Sequence, residues 1–477
     1  MSTNSLDRTT VSALVPEALK DIHRLLVLRN DAAELLVAGV APPFMLIDVE
    51  VPKWERVAQT ISKAMKEQYE IESICLFPLT LSPEAPISQT QYHVLDARGA
   101  PPGAPRGTRW AAINALPLNS FANEADFAAL CDTTRKIREF RSDAAAEPFG
   151  KPGWIDELLL WAQHELDPYG VRLTGKFRQL NAGPTFALLR LETNGHAVWF
   201  KAVGKPNLGE LRISQTLFEL FPEFVPKLIA AHATWQGWLT TEVSETTLDE
   251  VAETGAWKLA AQTLAQLQVK SIGVSNQLLD AGCRDLRISS ILAMIGPFVE
   301  SMSDLMNRQE KSLPRPLREK ELHTLGEQIK ETLLELAELN VPDALGHLDF
   351  NPGNILCLSG RCIFIDWAEA YVGPPFLTFE YLRAYLLRQH PQDRVLTTDV
   401  AEAYGMTWCT RHSPLAVAAA LNLAPVLAVV AYAVGIDAWR NAISLHEPAT
   451  AGYFRSLTRR IQSEMRQLHA RRQLCCE

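Results

Sequence analysis

Three rhythms of apolar and polar positions follow one another along the chain. Up to about Glu147, short strand-like runs such as "RLLVLRN" and "AELLVAGV" alternate with one helix around "WERVAQTISKAMKEQYE". The strand "YHVLDARG", the Pro/Gly loop "GAPPGAPRG" and the helical stretch "EADFAALCDTTRKIREFRSD" complete this zone, and "AAAEPFGKPG" reads as a linker. A second zone opens with "WIDELLLWAQHEL", where Ile155, Leu158, Leu159, Ala162 and Leu166 share one helical face. Strands "GKFRQLN", "TFALLRLET" and "HAVWFKAVG" follow, the last two joined by Asn194 and Gly195. The helix "LGELRISQTLFELF" and two more strands, "KLIAAHAT" and "GWLTTEV", close the zone. From about Ser244 the pattern is mainly helical, interrupted once by a polar loop and resuming at "FEYLRAYLLRQH". No internal repeat is visible. The zones predict an N-terminal α/β domain over 1–147, a strand-rich lobe over 148–243 and a helical lobe over 244–477.

One helical segment has the length of a bilayer span, "PLAVAAALNLAPVLAVVAYAVGI" from Pro414 to Ile436. It is rich in alanine, interrupted by Asn422 and Pro425, and lacks a flanking aromatic belt. A buried helix pair is expected here rather than a membrane span.

Composition narrows the class. Apolar residues make up 47% and charged residues 21%, a profile that suits packed cores and not disorder. A formal net charge of −9 argues against bulk nucleic-acid or acidic-membrane binding. Cys75, Cys131, Cys283, Cys357, Cys362, Cys409, Cys475 and Cys476 form no C-x-x-C pair, which speaks against a zinc cluster. A disulfide framework does not suit a chain of 477 residues. The opening residues lack a basic region followed by an apolar stretch. Reduced thiols in a cytoplasmic protein are the expectation. The basic stretch "RSLTRRIQSEMRQLHARR" reads as a solvated helix face.

The chemistry gathers around "GHLDFNPGNIL", Gly346 to Leu356, and the following "CIFIDWAEA". Phosphoryl transfer from ATP needs a lysine on the phosphates and a carboxylate holding that lysine. It also needs a carboxylate to orient the attacking hydroxyl, and oxygen ligands for Mg²⁺. Asp349 suits the hydroxyl-orienting base, while Asn354 and, beyond a hairpin, Asp366 suit the metal. His347 is expected to support the loop by hydrogen bonding. Upstream, Lys201 ends the strand "AVWFK", and Glu210 near the next helix start is placed to pair with it. The turn "NAGPT", Asn181 to Thr185, offers backbone N–H groups to phosphates. Each residue alone has a plainer reading: an Asx turn for Asp349 and Asn354, a snorkelling strand-end lysine, a first-turn glutamate.

Together, "HLDFNPGNIL…FIDWAEA" resembles the catalytic and metal-binding segments of the aminoglycoside phosphotransferase and choline kinase-like family. The resemblance covers roughly Trp154 to the C-terminal region. It implies an α+β, two-lobed protein-kinase-like fold that passes the γ-phosphate of ATP to a small-molecule hydroxyl. The pattern H-x-D-x-x-x-x-N falls on His347, Asp349 and Asn354, and the following I-D-W on Asp366. The family's phosphate-binding lysine falls on Lys201 and its helical partner on Glu210. ATP is then expected between the lobes near "WLTTEVS", with no nucleic-acid or membrane partner. Departures stand beside these matches. Leu348 replaces a usual glycine, and in "GPPFLT" Pro374 and Thr378 replace two acidic positions, leaving Glu380 nearby. The second of those acids usually braces the catalytic loop.

Two further readings stand beside this one, the first favoured by the departures. One is a nucleotide-sensing pseudokinase-like protein that signals through its N-terminal domain. The other is a Nudix-type hydrolase, since the N-terminal zone faintly resembles that fold. That family's acidic cluster would fall on Lys63, Ala64, Glu67 and Gln68, which leaves one acidic ligand and argues against hydrolysis.

Overall fold

The fold is described from a computed structural model, which defines residues 20–79, 90–99, 103–142, 147–244 and 246–474. Cys475 and Cys476, the first nineteen residues and parts of the expected loop and linker lie outside these. Two compact units emerge: Met1–Leu211 with Lys227–Glu242, and Arg212–Pro226 with Val243–Glu477.

The first unit holds two sheets. Strands β1 (Lys20–Arg29), β2 (Glu34–Ala38) and β3 (Ile47–Pro52) precede helix α1 (Val57–Tyr69), followed by β4 (Glu72–Leu79), β5 (Thr90–Arg98) and β6 (Thr108–Ala112). They pair in the order β4-β5-β1-β2-β6, with β3 also on β1 and the β1–β5 pair parallel. Leu25 to Leu28 are all fully buried because both faces of β1 are covered. Leu25 and Val27 face Ile61 and Met65 of α1, whereas Leu26 and Leu28 belong to a larger core.

That larger core continues into the second sheet. Helices α2 (Glu124–Ser142) and α3 (Trp154–Leu166) lead to β7 (Leu173–Ala182), β8 (Ala187–Thr193) and β9 (Val198–Ala202). Helix α4 (Glu210–Leu220), of which only Glu210 and Leu211 belong to this unit, and strands β10 (Leu228–His232) and β11 (Gly237–Thr241) follow, giving an antiparallel sheet ordered β10-β11-β9-β8-β7. Ala187, Leu189 and Leu191 of β8 pack with Phe149, Trp154 and the β1 side chains in a single cluster. A side chain also joins the two sheets. The β4 register shifts between Cys75 and Phe77, and Gln179 of β7 pairs with both the Cys75 N–H (2.8 Å) and its carbonyl (2.9 Å). One amide thus satisfies backbone groups that a bulged ladder leaves over.

In the second unit, α5 (Gly255–Ser271) and α6 (Ser275–Ala281) precede the two-residue strand β12 (Arg284–Asp285), then α7 (Ile288–Asn307) and α8 (Glu319–Glu338). Short strands come next: β13 (Ala344–His347), β14 (Ile355–Leu358), β15 (Arg361–Phe364) and β16 (Ala370–Gly373). They form a β14–β15 hairpin and a sheet ordered β12-β16-β13. Helices α9 (Phe376–Gln389), α10 (Arg394–Trp408), α11 (Pro414–Gly435), α12 (Ala442–His446) and α13 (Pro448–Leu474) finish the chain.

The mixed α+β class is as expected, and two expectations need correcting. The Pro414–Ile436 stretch is one continuous helix, not a pair: Pro425 sits inside α11. It forfeits a backbone bond there, but α7, α8, α9 and α13 enclose the helix and hold it together. Its most apolar window is 72% buried within the fold, as suits a core helix. The basic C-terminal stretch is likewise more than a solvated face. Phe454, Leu457, Ile461, Met465 and Leu468 of α13 are buried against the core, and the arginines occupy the remaining positions.

Candidate active site

Alternation decides where Lys201 points. Val198, Phe200 and Ala202 of β9 turn into the core, so Lys201 lies on the opposite face. There it stands across from Trp238 of β11, with the ammonium 5.7 Å from the indole centroid. Val203, Leu211 and Trp238 form a small apolar cluster that seats the start of α4 on the sheet. Glu210, the first residue of α4, is thereby buried beside β9, and Lys201 Nζ donates to its Oε1. The expected pair is formed. The turn between β7 and β8 is anchored nearby: a Cβ on Gly204 would fall 2.3 Å from Thr185 Oγ1, so glycine lets the turn rest against the end of β9. Pro184 in the same turn accepts a 3.1 Å bond from the Phe149 N–H.

The other three candidates meet in the second unit. His347 ends β13, and its buried ring serves as a bracket. Nδ1 accepts the Asp349 N–H (3.1 Å), which fixes the proton on Nε2, and Nε2 donates to the Ile365 carbonyl (3.3 Å). Burial lowers the His347 pKa, the direction that suits this donor–acceptor pattern. Asn351 Nδ2 donates to Asp349 Oδ1 at 3.0 Å, while its own Oδ1 caps Gly353 N at 2.9 Å. Asn354 Nδ2 donates to the Asp349 carbonyl at 2.9 Å, which turns its Oδ1 the other way. The Ile365 N–H reaches back to the Asn354 carbonyl at 3.0 Å and brings the end of the hairpin beside the loop. Next to Ile365, Asp366 takes a left-handed backbone conformation (φ 64°) and is exposed.

Burial raises the Asp349 pKa, an effect the Asn351 hydrogen bond opposes and the Asp366 charge reinforces. Glu369, unremarked in the sequence, joins this acidic group. The Leu348 N–H bonds to its carbonyl at 3.0 Å, and burial raises its carboxyl pKa, with Asp349 and Asp366 adding to the rise. Its position three residues after Asp366 in "FIDWAEA" was the available signal.

The departures have structural answers. Leu348 is buried and packs on α11 at Gly435, where a Cβ would stand 2.9 Å from Leu348 Cδ1. Thr378, the first-turn residue of α9 in place of an acid, accepts the His347 N–H at 2.9 Å. Glu380 turns elsewhere, held bidentately by Arg383 at 2.7 and 2.9 Å. Lys201 and Glu210 thus belong to the first unit, and Asp349, Asn354 and Asp366 to the second.

Comparisons with solved structures return distant likenesses. The macrolide 2′-phosphotransferase of Brachybacterium faecium is 15% identical, covering 63% of this chain and 98% of its own, with a TM-score of 0.42. Ethanolamine kinase of Plasmodium vivax is 13% identical over 69% of this chain and 93% of its own, with a TM-score of 0.45. Choline kinase of Streptococcus pneumoniae is 13% identical over 66% and 99%, with a TM-score of 0.41. No curated protein matches the sequence. Nothing supports the Nudix-type resemblance of the N-terminal zone. In α1, Ala64 is buried, and Glu67 lies 4.0 Å from Lys63. The segment 216–417 matches the family model described as the phosphotransferase enzyme family, APH, and there the family resemblance read from the motifs holds.

Proposed function

We propose that the chain is an ATP- and Mg²⁺-dependent phosphotransferase acting on a hydroxyl of a small molecule. The domain division that goes with this reading is 1–147 for the N-terminal domain, 148–243 for the strand-rich lobe and 244–477 for the helical lobe. In it Lys201, held by Glu210, takes the nucleotide phosphates, and Asp349 orients the acceptor hydroxyl and receives its proton. Asn354 and Asp366 suit Mg²⁺ because both present hard oxygen donors, and the Asn354 amide is already turned with Oδ1 outward by its bond to the Asp349 carbonyl. Bound there, Mg²⁺ would supply charge neutralisation on the transferred phosphate. Among the described residues no three His, Cys, Asp or Glu side chains group to hold a metal.

The observation that carries the reading is the fixed Asp349 carboxylate. Asn351 holds its side chain and His347 its backbone, in the same loop as Asn354. Phosphoryl transfer depends mostly on such positioning and on charge stabilisation. Asp349→Asn is expected to lower transfer by roughly 10²–10⁴-fold while nucleotide binding persists. The assay is ATP consumption with Mg²⁺ across a panel of hydroxyl compounds, beside calorimetric nucleotide titration. Equal turnover in the variant removes Asp349 from the mechanism. Nucleotide binding with no transfer to any compound favours the pseudokinase-like alternative.

A further inference from the structure

We propose that Tyr371 and Thr378 form a neutral hydroxyl relay that positions the catalytic loop. The proposal rests on the phosphotransferase reading for its effect on turnover and on the structure alone for its effect on the loop. Thr378 Oγ1 accepts the His347 N–H at 2.9 Å and lies 3.0 Å from the Tyr371 hydroxyl, which lies 3.1 Å from the Pro374 carbonyl. Proton counting gives these contacts one direction. A carbonyl only accepts, so the Tyr371 proton goes to Pro374. The Tyr371 oxygen then accepts the Thr378 proton, and the Thr378 oxygen accepts from the His347 amide. Every donor in the chain is used once.

The site is built for this ring. Tyr371 of β16 is paired with Gly346 of β13, and a Cβ on Gly346 would fall 2.0 Å from the Tyr371 ring. Gly346 therefore vacates the place the phenol occupies. Both hydroxyl residues are 0% exposed, where a carboxylate would carry a desolvation cost and find no cation in this chain of contacts. From the His347 amide the constraint passes through the ring, whose Nδ1 holds the Asp349 N–H. Tyr371 and Thr378 are thus positioning residues, three and two hydrogen bonds removed from the Asp349 amide.

The test uses the full chain with MgATP alone, reading phosphate release to water, and amide hydrogen exchange over the peptide 345–351. Thr378→Val is expected to lower kcat at least ~10-fold with KM for MgATP within ~2-fold, since a displaced base slows chemistry without altering nucleotide binding. Its 345–351 amides exchange faster. Thr378→Ser restores both readouts. Unchanged kcat and exchange in Thr378→Val overturn the relay. If Thr378→Val does not fold, Tyr371→Phe decides: it strands the Thr378 proton, so faster exchange supports the relay and wild-type exchange overturns it. Absence of phosphate release by the wild-type chain from MgATP alone, together with no ATP consumption across the panel of hydroxyl compounds, counts against the phosphotransferase reading. The exchange comparison still decides the relay on its own.

Discussion

Lys201 and Glu210 are joined in a setting where neither is easily replaced. Glu210 is 2% exposed, and the lysine ammonium lies 5.7 Å from the Trp238 ring centroid. Removing the ammonium leaves a carboxylate in a site that barely solvates it. Lys201→Met is therefore expected to weaken nucleotide binding at least ~10-fold and to destabilise the first unit by roughly 2–4 kcal/mol. Adding Glu210→Gln should return most of the stability and none of the affinity. Thermal unfolding and nucleotide titration of the single and double variants check this. A double variant that also regains affinity would mean that Lys201 only neutralises Glu210.

At the scale of elements, the contact between Leu348 and the end of α11 ties a core helix to the loop bearing Asp349. A Cβ at Gly435 would meet Leu348 at 2.9 Å and Leu286 at 3.4 Å. Gly435→Ala should cost about 1–3 kcal/mol by overpacking, and Leu348→Ala about 2–5 kcal/mol through the cavity it leaves. Because each relieves the other, the double variant should be at least ~1 kcal/mol less costly than the sum. Denaturant titration of the cycle measures the coupling, and simple additivity would refute the contact. This contact also shows where sequence reading reaches its limit. Strands such as β8 were legible because Ala187, Leu189 and Leu191 alternate with less buried neighbours. β13 and β16 were not, since all eight residues are buried and no alternation remains to be read. In α11 a proline that locally signals a break is overruled by packing on several sides. The candidates Asp349, Asn354 and Asp366 could be singled out from type and spacing, and the fold gathers them around one loop. The loop's support was not legible: a missing acid at position 378 is visible in one dimension, but the tyrosine that completes its replacement comes from another strand.

Across the whole first unit, Asp96 links the N-terminal sheet to the start of α3, accepting the Gly153 N–H at 2.9 Å. Burial pushes its carboxyl up to about 6, against the pull of that N–H. In this window the folded chain binds more protons than the unfolded one, so stability falls as pH rises from about 4 through about 6. The cost is complete at neutral pH and absent well below pH 4. Asp96→Asn keeps an acceptor for Gly153 and removes the charge. It should stabilise the chain by on the order of 1–3 kcal/mol at pH 7.5, with the advantage shrinking toward pH 4. Thermal melts across that range test the sign, and a pH-independent difference would place the effect elsewhere.

Leu26, Phe149 and Leu189 share one apolar interior, so the N-terminal strands and the strands around Lys201 are expected to melt together. Each depends on the other for its folded population. On the proposed reading, a substitution in β1 should therefore weaken nucleotide binding at Lys201 without touching that residue, and a bound nucleotide should slow the fraying of the N-terminal strands.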